Sequence, residues 1–116
     1  MIKLSVFYSN KTVLAQVTNP QVFVPKFDLN YFCNTHIPLV EQKLGTALKG
    51  VSVEHGLSGG SPGSQAPYIA IAHFLFETVE AFQAAFAPNA EGILGDIPNY
   101  TDVEPIMQIS EVKISR

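Results

Sequence analysis

The sequence predicts an α+β domain of the ferredoxin-like type, with four antiparallel strands and two helices in the order β, α, β, β, α, β. Three stretches carry that expectation. IKLSVFY near the N-terminus alternates apolar and polar residues, FDLNYFCNTHIPLVEQKLG has the 3, 4 apolar spacing of a helix, and YIAIAHFLF is apolar on both sides. At 116 residues the chain has room for one core, so 1–116 is read as a single domain. Right-handed crossovers place both helices on one face of the sheet. The other face is then bare, yet YIAIAHFLF offers water no polar side, which predicts a second copy packed face to face against it.

Each element has its own signal. Ile2, Leu4, Val6 and Tyr8 share one face of the first strand. Residues 9–26 read as an inserted hairpin or loop: Val13 to Val17 and Val22 to Val24 flank TNPQ, where Asn19 and Pro20 suit a type I turn. Asp28 is a natural helix N-cap, and Phe27 and Phe32 have hydrophobic-staple spacing. Leu29, Phe32, Cys33, His36, Ile37, Val40 and Leu44 follow on one helical face, with Gly45 as the stop. Pro38 has no amide hydrogen and crowds the carbonyl of Asn34, while Ile37 before it is pushed from helical angles, so the helix is expected to kink beside His36.

Val51, Val53, His55 and Leu57 alternate as a second strand, and SGGSPGSQAP is a loop, read as a lid or dimer arm. In the third strand Tyr68, Ala70, Ala72, Phe74 and Phe76 face one way; Ile69, Ile71, His73 and Leu75 face the other. Thr78 caps a second helix with a Val79, Phe82, Phe86 stripe. PNAEGILGDIPNYTD is an irregular connection, and VEPIMQISEVKI ends the chain as a strand.

Composition excludes several classes. Net charge is −3 with seven scattered Lys and Arg, so no footprint for nucleic acid exists. The run after Met1 is broken by Lys3 and is too short for a secretory leader, and nothing approaches ~20 consecutive apolar residues, so no membrane span is expected. A lone Cys33 fits a reducing cytoplasm. Three isolated histidines without H-x-H or H-E-x-x-H spacing point to no metal. The glycine loop lacks both the P-loop lysine and the G-x-G-x-x-G order, so no nucleotide or flavin cofactor is expected.

FDLNYFCNTHIPLVEQKLG, GLSGGSPGSQAPYIAIAHFLFETVEAFQAAF and DIPNYTDVEPIMQISEV together resemble the EthD family of dimeric α+β barrel proteins. Its most specific pieces here are NYF leading to THIPL, and DIPNYT before the last strand. The resemblance implies a homodimeric barrel and a reductase or oxidoreductase label, the family name deriving from a locus for ether degradation. Relatives in the barrel superfamily act as cofactor-independent oxygenases, cyclases or decarboxylases, so the fold alone does not fix the chemistry. The segment from Lys11 to Lys26 departs from the family pattern.

His36 is the first candidate for chemistry. Its stripe faces the sheet, and burial favours the neutral imidazole, which suits a general base; the bland alternative is a core histidine bonded to a neighbour. Tyr100 is the second, as donor to a developing anion; Asp96 is read as orienting a histidine or, with Asn99, contacting ligand, the bland alternative being a turn in which both bond to nearby backbone. Phe32, Val40 and His73 are expected to line the substrate cleft. Tyr31, opposite the stripe, is expected to touch the inserted segment or a partner, Cys33 to fill the core, and His55 to lie at an edge. The expected ligand is a small hydrophobic, possibly aromatic, molecule, held either for proton abstraction or by a non-catalytic carrier supporting a degradation pathway.

Overall fold

In the computed structural model, which describes residues 1–10, 13–14, 22–23 and 25–116, strand β1 (Ile2–Ser9) runs through the middle of a four-stranded antiparallel sheet. A small ribbon of β2 (Val13–Leu14) and β3 (Val22–Phe23) pairs Val13 with Phe23 and Leu14 with Val22. The Asn19-Pro20 turn lies outside the described residues. Strands β4 (Gly50–His55), β5 (Tyr68–Phe76) and β6 (Ile106–Glu111) complete the sheet in the order β4-β5-β1-β6. This is the ferredoxin-like order, with the first strand central and the last at an edge.

Alternation decides which residues meet the helices. Ile2, Leu4, Val6 and Tyr8 are all buried, and their partners on β5, Phe76, Phe74, Ala72 and Ala70, are buried with them. Helix α3 (Val79–Phe86) covers this face, its Phe82 ring 5.1 Å from Phe76. Thr78 caps it by accepting from the Ala81 amide at 3.0 Å. On the opposite face lie Lys3, Ser5 and Phe7 with their partners Leu75, His73 and Ile71. Ser5 Oγ and His73 Nδ1 are 2.8 Å apart there, and Glu54 Oε1 is 3.4 Å from His73 Nε2.

Several expectations are corrected. Leu57 lies beyond β4 and is exposed, because the strand ends at His55. The register shifts between Tyr8 and Ser9, so Tyr68 pairs with Ser9 and packs its ring 5.1 Å from Phe7 on the bare face instead of following Ala70. The connection after α3 is helical: a 3-10 turn at Ala87–Asn89, α4 (Ala90–Gly95) and a second 3-10 turn at Ile97–Asn99. In the β4–β5 loop, Ser61 to Ser64 make a type II turn, with Pro62 second, Gly63 at φ +78° third, and the Ser64 amide bonded to Ser61 O at 3.1 Å.

The first helical segment departs most from expectation. It comprises α1 (Leu29–Tyr31), one wide π-type turn (Phe32–His36) and α2 (Ile37–Leu44). Asp28 caps it through Oδ1 to the Tyr31 amide at 3.0 Å, and the Phe27 and Phe32 rings meet at 5.2 Å. Ile37 keeps helical angles, φ −61° and ψ −46°, and its amide donates to the carbonyl of Phe32, five residues back. The chain therefore accommodates Pro38 by inserting a residue in the preceding turn, a device common at functional sites. The insertion rotates the residues upstream. Phe32 takes the place under Ile37 that Cys33 would occupy in an α-helix, so Phe32 is buried and Cys33 is exposed. Cys33 is not core filler. Asn34, whose carbonyl Pro38 deprives of a donor, lies on the solvent side.

Candidate functional site

The wide turn delivers His36 to the buried face, 4% exposed, its ring stacked 5.6 Å from Phe32 at 18°. Its partner comes from sixty residues away. His36 Nδ1 is 2.9 Å from Asp96 Oδ2. The carboxylate also accepts from Tyr31 Oη at 2.7 Å and from Asn99 Nδ2 at 2.9 Å, both on Oδ1. Burial works against the Asp96 charge, but the bonds from Asn99, Tyr31 and His36 together hold its carboxyl below the ordinary value. It is thus a carboxylate, an acceptor only, and Nδ1 must donate to it. Burial lowers the His36 pKa more than Asp96 raises it, so the ring is neutral at pH 7 with its lone pair on Nε2.

Behind the imidazole lies Tyr100, fully buried, with its ring 4.7 Å from His36 and 6.2 Å from Tyr31. Its hydroxyl meets that of Tyr8 at 2.7 Å. Burial raises both phenols, Tyr8 to about 12, so both stay protonated. Main-chain bonds join the two halves of the site: the Asp28 amide donates to Tyr100 O at 2.7 Å, the Lys26 amide to Asp102 Oδ1 at 2.8 Å, and Phe27 bridges to Thr101.

A cleft of about 60 Å³ opens between this group and the sheet, lined by His36, Tyr8, Phe32 and Val40 together with apolar residues of β1, β5, α3 and α4. Among the described residues lining it, only Tyr8 and His36 carry a nitrogen or a hydroxyl. One water needs ~10–15 Å³ and benzene about 150 Å³, so in a single chain the cleft takes the end of a molecule, not a whole aromatic ring. The remainder would leave past Leu94 and Met107, which line the cleft and are 41% and 44% exposed.

The sequence candidates divide accordingly. Phe32, Val40 and His36 line the cleft. Asp96, Asn99 and Tyr100 do not; they form the hydrogen-bonded and packed layer behind His36. His73 belongs to neither group, because it faces the side of the sheet away from the helices. Tyr31 turns inward to Asp96 instead of outward. Tyr8 is the lining residue that strand alternation alone does not single out; the signal for it is that a tyrosine on a buried strand face needs a partner for its hydroxyl. His55 is exposed at the end of β4. Among the described residues no group of three His, Cys, Asp or Glu could hold a metal ion, and no helix is long and apolar enough to cross a membrane.

The EthD domain model matches residues 25–104, more than half the chain and everything from Phe27 through DIPNYT. The chain belongs to the EthD family. A crystal structure of an EthD-like protein from Ralstonia eutropha JMP134 is 36% identical to this EthD chain, covers 99% of it and 94% of the other, and superposes with a TM-score of 0.84. An ethyl tert-butyl ether (EthD) family protein from Bacillus halodurans C-125 is 19% identical over 97% and 98% of the two chains, with a TM-score of 0.66, and supports the fold. A protein from Arabidopsis thaliana does likewise at 13% identity, over 100% and 99% of the chains, with a TM-score of 0.63. No curated protein matches this EthD chain.

Proposed function

We propose that this EthD-family chain binds the reactive end of a small apolar molecule in the cleft and removes a proton from it with His36. Asp96 holds Nδ1–H, which leaves Nε2 as the base; Phe32 and Val40 shape the apolar wall. The observation that carries the reading is the pairing of an apolar cleft with a single neutral imidazole whose other nitrogen is fixed by a partly buried carboxylate. Proton removal from an acidic C–H or O–H prepares a molecule to isomerise, decarboxylate or react with oxygen, and an oxidoreductase role of the kind the family label implies would begin there. A homodimer is part of the proposal. Phe7, Ile71 and Leu75 face outward on the bare sheet side, with Ile106 57% exposed beside them, and a second copy packed on that face would cover them.

Native mass spectrometry of the protein purified from its own host reports subunit number and any retained molecule. Incubating that molecule in D2O with wild type and with His36→Gln then tests the chemistry. Deuterium uptake by wild type and its loss in a folded His36→Gln protein is the expected result. Retention without any uptake favours the carrier, and equal uptake by both proteins removes His36 from the mechanism.

A further inference from the structure

We infer that Tyr8 presents its hydroxyl hydrogen to the ligand and that Tyr100 is the positioning residue behind it, so the molecule bound beside His36 carries an oxygen acceptor, as an enolisable carbonyl does. This rests on the cleft reading above and extends it to the ligand's chemistry. The argument is one of satisfying hydrogens. The two hydroxyls bond to each other at 2.7 Å, and neither has another hydrogen-bond partner among the described residues. One donates, and the other keeps a hydrogen to place elsewhere. Tyr100 is fully buried and away from the cleft; Tyr8 lines it. Were Tyr8 to donate, the Tyr100 hydrogen would be left within packed protein with no acceptor, which buried groups avoid. Tyr100 therefore donates to Tyr8, and the free hydrogen is that of Tyr8.

That arrangement leaves the cleft with one acceptor, His36 Nε2, and one donor, Tyr8 Oη. Both flank Phe32, whose ring is 5.5 Å from Tyr8 and 5.6 Å from His36. A carbonyl oxygen bonded to Tyr8 would have its α-carbon turned toward His36. Nε2 takes the α-hydrogen, the C–H electron pair becomes the C=C of an enolate, and the oxygen takes the negative charge under the Tyr8 bond. Return of the hydrogen, or of deuterium after the imidazolium exchanges with D2O, restores the ketone without any co-reactant. Charge forms on the oxygen only during the reaction, so the Tyr8 bond strengthens when it is needed.

The test uses pentan-2-one and its oxygen-free counterpart 2-methylpent-1-ene as probes, with binding read by NMR titration and α-deuterium uptake by the ketone. Wild type should bind the ketone about tenfold more tightly than the alkene, the worth of one buried hydrogen bond. Tyr8→Phe should abolish that preference and slow deuterium uptake at least tenfold while binding the alkene as before. Tyr100→Phe should reduce the preference only when Tyr8 is present. The double variant Tyr8→Phe/Tyr100→Phe removes both hydroxyls, so it leaves no orphaned donor and should fold like wild type yet lack the preference. Equal binding of both probes by wild type, or a ketone preference that survives Tyr8→Phe, overturns the inference while leaving His36 in place. Failure of both probes to bind overturns the cleft reading together with it.

Discussion

Replacing Asp96 by asparagine should move the proton on His36 from one ring nitrogen to the other. The carboxylate accepts from two donors on Oδ1 and from His36 on Oδ2. Asparagine keeps one oxygen, and placing it toward Tyr31 and Asn99 satisfies both donors at once. Its NH2 then faces His36 Nδ1, which can accept only when unprotonated. The ring responds by carrying hydrogen on Nε2, so the cleft meets a donor where it had a base. The exchange of a charge-assisted bond for a neutral one costs roughly 1–2 kcal/mol. The lower end applies here because 12% of the Asp96 side chain remains in water. For a domain of this size that is a fall in Tm of about 4 °C. Proton abstraction should fall much further, about a hundredfold or more, the usual worth of a positioned general base. Long-range 1H–15N correlation spectra at neutral pH read the tautomer without any substrate: Nδ1–H is expected in wild type and Nε2–H in Asp96→Asn. An Nε2–H ring in wild type, or an unchanged tautomer in the variant, refutes the reasoning.

Other perturbations have equally definite outcomes. Folding lowers the proton affinity of His36 (burial outweighing Asp96) and of Asp96 (its three bonds outweighing burial), so the unfolded chain binds more protons and stability falls on acidification. Denaturant titrations across pH should show one loss as pH drops below about 6.5 and a second below about 4; His36→Gln should remove the first and shrink the second, because Asn99 and Tyr31 still hold the carboxylate but the histidine does not. Gly45 ends α2 at φ +59° and ψ −137°, so Gly45→Ala should cost about 1–3 kcal/mol by thermal denaturation, from backbone strain alone, since nothing lies near the added methyl. Cys33 should react with Ellman's reagent in the native protein, and Cys33→Ser should change stability by less than about 0.5 kcal/mol. Ile71→Lys should leave the monomer folded but yield a single-subunit mass by light scattering, because the side chain lies outside the helix-covered core.

Local signals in the sequence were legible because local physics decides them. Asp28 and Thr78 cap their helices, Phe27 meets Phe32, and the alternation of β1 holds from Ile2 to Tyr8. The π-type turn was not legible. Phe32 and Cys33 both satisfy a 3, 4 spacing, so periodicity could not say which would be buried, and Pro38 announced a disturbance without specifying an inserted residue. The helical turns from Ala87 to Asn99 were hidden by Pro88, Gly92, Gly95 and Pro98, which interrupt any single run. The layer behind His36 depends on pairings made by the fold: Asp96 is sixty residues from its histidine, and Tyr8 ninety-two from Tyr100. No spacing rule reaches that far.

The chain on either side of residues 11–24 is moored independently. Asn10 is bonded through its amide to Pro67 O at 3.0 Å and through Nδ2 to Ala66 O at 3.2 Å, while the Lys26 amide is held by Asp102 and the Asp28 amide by Tyr100. The second pair of moorings sits on the seam that carries Tyr100. Slack introduced at Lys26 or Asp28 would therefore travel one residue-to-residue step to the ring packed beside the imidazole, whereas slack at Asn10 would be absorbed at the far end of β1.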